Sequence, residues 1–266
     1  MRTNAELKNI DKYAGLIPII GIALALIVEL TLGLRGQYVF NSDFVRIGIN
    51  IVLLSVICFA VAFLSAKSYL FTGSLTLLLI TVSFTYICLV TVIIGFLASF
   101  SPNWGVTLNG IDLFLFAALQ LASSYQASFR SVPIGSEHRK VRLMLAVSAA
   151  IFLGILMASL TVLNVFPVFF VNGVGVTLTD QIVFSIIVLL FAINSALFLR
   201  LYLMSKSNVL YWYTLAMLIE AIGSFGLTLQ IRFSDIVVWT GRIGIYVATV
   251  YFLIALLSAR KENNEV

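Results

Sequence analysis

The sequence predicts an all-α membrane protein, a polytopic bundle of about eight transmembrane helices. Three observations predict it. Of the 266 residues, 61% are hydrophobic and only 10% charged, where a soluble domain carries about 25% charge. The apolar residues fall in continuous runs of about twenty, enough at 1.5 Å per residue to span a bilayer core. No ten-residue alternating segments of the kind that build a membrane barrel are seen.

The spans divide the chain into an N-terminal tail over residues 1–14, a transmembrane domain over 15–258 and a C-terminal tail over 259–266. The first helix is expected over Gly15–Leu34, with Pro18 in its first turn, where the missing N–H is harmless. It lacks a small-residue cleavage site and serves as its own insertion signal. The second is expected over Phe44–Ser65, with a tight turn at Lys67. The third covers Tyr69–Phe100. After a turn at Pro102-Asn103-Trp104-Gly105, the fourth is expected over Gly110–Phe129, with Asn109 to Asp112 as a capped start. The polar segment Arg130–Arg142 precedes the fifth, Val141–Val165. The loop Asn172-Gly173-Val174-Gly175 and the capping stretch Thr177 to Asp180 introduce the sixth, which ends near Met204. The tetrapeptide Gly105 to Leu108 recurs at Gly175 to Leu178, and both copies read as a shared turn-and-cap. The last two spans, Tyr211–Leu229 and Ile236–Leu257, form a hairpin.

Basic residues set the expected orientation. With both termini cytoplasmic, Arg2, Lys8, Lys12, Lys67, Arg130, Arg139, Lys140, Arg142, Arg200, Lys206, Arg260 and Lys261 lie inside. That is twelve of the sixteen Lys and Arg, a positive-inside distribution for a cell-membrane protein. Trp104 and Trp239 then fall near the outer interface and Trp212 near the inner one. The net charge of +5 is absorbed by this bracketing and does not suggest nucleic-acid binding. Cys58 and Cys88 lie within apolar runs and read as reduced packing residues.

Enzyme classes are disfavoured, and no cofactor is expected. The single histidine, His138, stands in a basic loop and cannot ligate two haems or build a His-rich metal site. Every lysine lies at a membrane edge, which disfavours a retinal Schiff base. No nucleophile motif or phosphate-cradling glycine loop is present.

The costly residues are the ionisable ones inside the spans, each about 2.5 kcal/mol or more on insertion scales. Glu29, Arg46, Asn50, Glu220 and Arg242 form the candidate site, a polar pocket in the outer half of the bundle for a small ligand or ion. The competing reading pairs Glu29 with Arg242 and lets Arg46 snorkel to the interface. Asp112 and Asp180 are expected to cap helices four and six and complement their dipoles. Gly223 and Gly226 are expected to let helices approach closely.

The stretch Val171 to Thr179, with Phe225-Gly226-Leu227-Thr228-Leu229 leading to Gly241-Arg242 and an aromatic-rich last helix, resembles the MASE3 type of membrane-associated sensor domain. The chain departs from that pattern where Cys88 to Phe96 is apolar and where Arg242 follows Gly241. The resemblance implies a sensory input of the kind attached to histidine kinases and cyclic-dinucleotide enzymes. The expected partners are the lipid bilayer, a small ligand and a cytoplasmic signalling domain or protein, with a homodimer left open. The signal is expected to pass by a shift of the last helix against the seventh. A small-solute or ion transporter or channel, and a structural membrane subunit, are the alternatives.

Overall fold

The computed structural model describes residues 13–37, 39, 42–129, 136–232 and 235–264. Their architecture is the expected all-α bundle. Helix α1 covers Ile17–Thr31. Helix α2 is continuous through Asp43–Ile49, a π-helical segment Asn50–Val56 and Ile57–Thr72. Then follow α3 (Leu75–Phe100), α4 (Pro102–Phe129), α5 (Arg139–Val162), α6 (Leu178–Ser205), α7 (Asn208–Thr228) and α8 (Ile236–Asn264). A two-residue hairpin, β1 (Phe170–Val171) against β2 (Gly175–Val176), closes the loop before α6.

Seven of these helices are long and apolar enough to cross a membrane, so this is a multi-pass membrane protein. Helix α1, with 15 residues, is short for a span, about 22 Å at helical rise. It nonetheless follows the depth of α7. Gly15 packs against Trp212 near the start of α7, and the Arg35 guanidinium donates to Leu229 O just past its end.

Several boundaries differ from expectation. Lys67 is inside α2, and the break comes at Gly73, whose φ of 73° forms a left-handed C-cap that costs little without a Cβ. Helix α4 begins at Pro102, because a proline at the first position fits a helix start and nothing in the next turn stops propagation. Asn109 to Asp112 is therefore mid-helix. The repeated tetrapeptide is helical at Gly105 and strand plus cap at Gly175. At the second site Thr177 is the N-cap, accepting from Asp180 N at 3.4 Å and donating to Val168 O at 2.7 Å. The residues expected to form a C-terminal tail continue α8 to Asn264.

In lipid the hydrophobic effect gives helices little reason to associate, so packing and polar contacts hold the bundle. The core centres on Phe84, Phe116 and Phe252. Their ring centroids lie 5.2 Å (Phe84–Phe116) and 5.0 Å (Phe84–Phe252) apart in edge-on geometry, an arrangement worth about 0.5–1.5 kcal/mol per pair beyond burial. On the side away from the hairpin a satisfied polar layer joins four helices. Tyr213 Oη donates to Gln120 at 2.7 Å, Gln120 Nε2 to Ser83 at 2.9 Å, and Ser124 to Asn194 at 2.7 Å.

Helices α7 and α8 lock through glycines. A Cβ on Gly223 would meet Gly241 O at 2.7 Å, and one on Gly241 would meet Gly223 O at 2.6 Å. Gly226 faces Gly241 as well. This bears out the close-approach role expected for Gly223 and Gly226.

Candidate functional site

Eight helix ends and the β1–β2 hairpin gather at one end of the bundle, here the hairpin end. The hairpin is held there by Asn103, whose Oδ1 accepts from Phe169 N and Phe170 N, both at 3.0 Å. Between α2, α3, α4, α6, α7 and α8 lies a cavity of about 60 Å³, larger than the 10–15 Å³ that admits a single water. Its polar lining comes from Asn50, Thr91, Asn109, Asp112, Gln230, Arg242 and Tyr246.

Asn50 opens the π-helical segment of α2, a distortion frequent at functional sites, and its Oδ1 accepts from Tyr246 Oη at 2.9 Å. Thr91 and Asn109 also line the cavity. Asp112 is ten residues into α4, about 15 Å below its start. It is 2% exposed, and its Oδ1 has no partner. An unpaired carboxylate in low dielectric is expensive, and in a membrane marks a functional position. Gln230, at the end of α7 and 6% exposed, leaves its Nε2 donor unpaired. Arg242 is six residues into α8, about 9 Å deep, with its guanidinium carbon 5.5 Å from the Trp239 ring centroid.

Of the five expected site residues, the cavity unites Asn50 and Arg242. Glu29 does not line it. Its Oε1 accepts from Thr240 Oγ1 at 2.5 Å, so Thr240 is its partner and not Arg242, as the competing reading had it. The reason is position: Thr240 lies two residues nearer the start of α8, level with the last turn of α1. Arg46 lies in the first turns of α2, and its side chain is outside the described residues. Glu220, 1% exposed with Oε2 unpartnered, does not line the cavity but is within electrostatic reach of Asp112 and Cys58.

Two carboxylates depart from their expected roles. Asp112 is no cap, because α4 starts eight residues earlier than expected. Asp180 is in the first turn of α6, but the side-chain cap is Thr177, and both Asp180 oxygens are buried without a partner. The capping carboxylate is Asp235. It accepts from Ile231 N at 2.9 Å and Arg232 N at 3.3 Å through Oδ2, and from Val238 N at 3.0 Å through Oδ1, at the start of α8.

Thr91, Asn109, Asp112, Gln230 and Tyr246 were not in the expected pocket. Asn109 and Asp112 carry the signal that could have found them, an i, i+3 pair on one helix face. Among the described residues no cluster of three or more His, Cys, Asp or Glu could hold a metal ion. No family model, curated protein or solved structure matches this chain, so the site's chemistry rests on its own residues.

Proposed function

We propose that this protein is a membrane sensory module. Its cavity at the hairpin end receives a small ligand or ion, and α7 with α8 carries the response to the opposite, cytoplasmic face. The observation that carries this reading is the last helix. At 29 residues, α8 is about 43 Å long, against about 30 Å for a bilayer core. It begins beside the cavity with Arg242 and continues past Ala259, the last residue of its apolar span, as one helix. A rigid element joining a buried polar site to the aqueous edge is suited to relay a population shift. The glycine contacts argue against the expected shift of the last helix on the seventh. With backbone against backbone, α8 resists sliding on α7, so the pair moves as a unit against α2, whose π segment supplies an adjustable partner. The concentration of Lys67, Arg139, Lys140, Arg142, Arg200 and Lys206 at the opposite end supports a cytoplasmic assignment for that end. The resemblance to MASE3-type sensor domains accords with this reading.

The test is a pair of spin labels at Ser258 and Arg142, measured in nanodiscs with and without Asp112→Asn, which removes the buried charge. A sensor changes the label distance while proteoliposomes show no flux. An unchanged distance under every condition that changes cavity occupancy removes the proposal.

A second reading is a small-solute or ion transporter. It is favoured by Glu220, which stands twelve residues from one end of α7 and eight from the other, within electrostatic reach of Asp112. Two buried carboxylates in series suit an ion or proton path. Substrate-dependent flux that Glu220→Gln abolishes would select it.

A further inference from the structure

At the end opposite the hairpin, the close of α2 meets the start of α5. The Arg139 guanidinium donates to Leu70 O at 3.2 Å and to Phe71 O at 2.7 Å. This ties α5 to the carbonyls of the last turn of α2, where a cation is favoured. Two further cations flank the bridge. Lys67 stands four residues before Phe71 and Arg142 three residues after Arg139, spacings that share a helix face. Each is about one turn nearer the bilayer middle than the bridge, and both are exposed. Helix α3 packs on both α2 and α5 and contains no carboxylate. Nor does α5, and that of α2 is Asp43, at its far end. Glu137, exposed and two residues before Arg139, is the nearest along the chain. Against it stand Lys67, Arg139, Lys140 and Arg142, four cations to one carboxylate. The other two basic side chains at this end are placed differently, each over an aromatic ring. Arg200 lies 6.0 Å from the Phe129 centroid and Lys206 Nζ 5.5 Å from that of Tyr202.

We infer that the crevice between α2 and α5 binds one anionic phospholipid, its phosphate between Lys67 and Arg142 and its acyl chains along the apolar side chains below them. Those side chains are Phe63 and Phe59, one and two turns from Lys67 on α2, and Leu145, one turn from Arg142 on α5. All three are more than half exposed, as a lipid-facing surface requires. The stems of Lys and Arg lie along such a surface and carry the charge to the level of the headgroups, where a phosphate accepts charge-assisted hydrogen bonds. Charge complementarity selects the headgroup. A zwitterionic lipid brings its own cation into a cluster already rich in positive charge, and an anionic one brings the phosphate alone. Basic pockets between membrane helices take anionic headgroups in this way. The inference makes no use of the cavity and goes beyond the sensory reading, since such a site serves a sensor and a transporter alike.

The test titrates the purified full chain, in a neutral detergent, with dioctanoyl phosphatidylglycerol, dioctanoyl phosphatidylcholine and glycerol phosphate, and reads bound lipid by native mass spectrometry. Saturable binding of a single phosphatidylglycerol is expected, about tenfold or more tighter than phosphatidylcholine, with no binding of glycerol phosphate at the same concentrations. Lys67→Gln with Arg142→Gln should abolish the preference. Arg200→Gln with Lys206→Gln removes as much charge from the same end and should keep it. An equal loss in both pairs would mean a diffuse belt of charge and overturn the inference. Phosphatidylcholine binding as tightly would mean an apolar groove and overturn it too, as would glycerol phosphate binding as tightly, which means a site for soluble anions. No saturable binding of either lipid would do the same. If the Lys67 and Arg142 pair of substitutions prevents folding, Arg142→Gln alone should lower the preference about fivefold, and an unchanged preference overturns the inference.

Discussion

Gly223→Ala tests the packing on which the relay depends. The new Cβ would sit 2.7 Å from Gly241 O and 3.1 Å from Ile245 N. Both are backbone atoms of α8, so no rotamer change relieves the contact. Carbon atoms pack best at about 3.5–4.0 Å, and a gap of 0.5–1 Å forfeits about a quarter to a half of each dispersion contact. Separating α7 from α8 by that amount loosens the seam around Gly226, Gly241 and Gly244 together. Overpacking of this kind costs about 1–3 kcal/mol, and the better helix propensity of alanine offsets up to about 1 kcal/mol. A net loss of about 1–2 kcal/mol is therefore expected. Gly21→Ala in α1 is the control, because nothing lies within 4 Å of its added Cβ. Reversible unfolding in mixed micelles, titrated with SDS and followed by circular dichroism, reads both. Gly223→Ala plus Gly241→Ala should cost less than the sum, since the first substitution already separates the helices. If Gly223→Ala were as stable as Gly21→Ala, the interlocked seam would be wrong, and with it the claim that α7 and α8 move together.

Asp235→Ala removes an acceptor shared by three backbone N–H groups at the start of α8 and should destabilise by about 1–2 kcal/mol in the same unfolding assay, with Asp235→Asn recovering part of it. Tyr213→Phe breaks the hydrogen bond to Gln120 and should cost about 0.6 kcal/mol, the average for polar pairs between membrane helices, and no more than about 1.7 kcal/mol. Glu29→Gln retains an acceptor for Thr240 and should change stability by less than about 0.5 kcal/mol. Thr240→Val leaves the Glu29 carboxylate unpaired and should cost about 1–3 kcal/mol. A Glu29→Gln loss as large as that of Thr240→Val would show that the carboxylate's charge, not the bond, matters at this position.

Helix number and class were legible because continuous apolar runs state them directly. The ends were less so, because composition does not say where a helix starts. Pro102 looks like a turn residue and acts as a first helical residue, which carries Asn109 and Asp112 from a cap to the bundle interior. Lys67 looks like a boundary, yet α2 passes it and stops only where Gly73 adopts a left-handed backbone. The candidate site was half legible. Asn50 and Arg242 stand out as polar residues in apolar helices. Which groups face one another depends on helix rotation, and a run that is apolar on all sides carries no phase to fix it. Glu29 therefore finds Thr240, and Glu220 stays out of a cavity that Asp112 lines.

The account's central claim is a cavity entered from the extracellular face, at the end opposite the basic helix ends. Thiol labelling of Asn109→Cys, in a chain with Cys58 and Cys88 replaced by alanine, tests it most directly. A membrane-impermeant maleimide added to intact cells should label that cysteine, and an excess of the cavity's ligand should slow the labelling. Labelling only from inverted vesicles, or none from either side in a folded protein, would contradict the account.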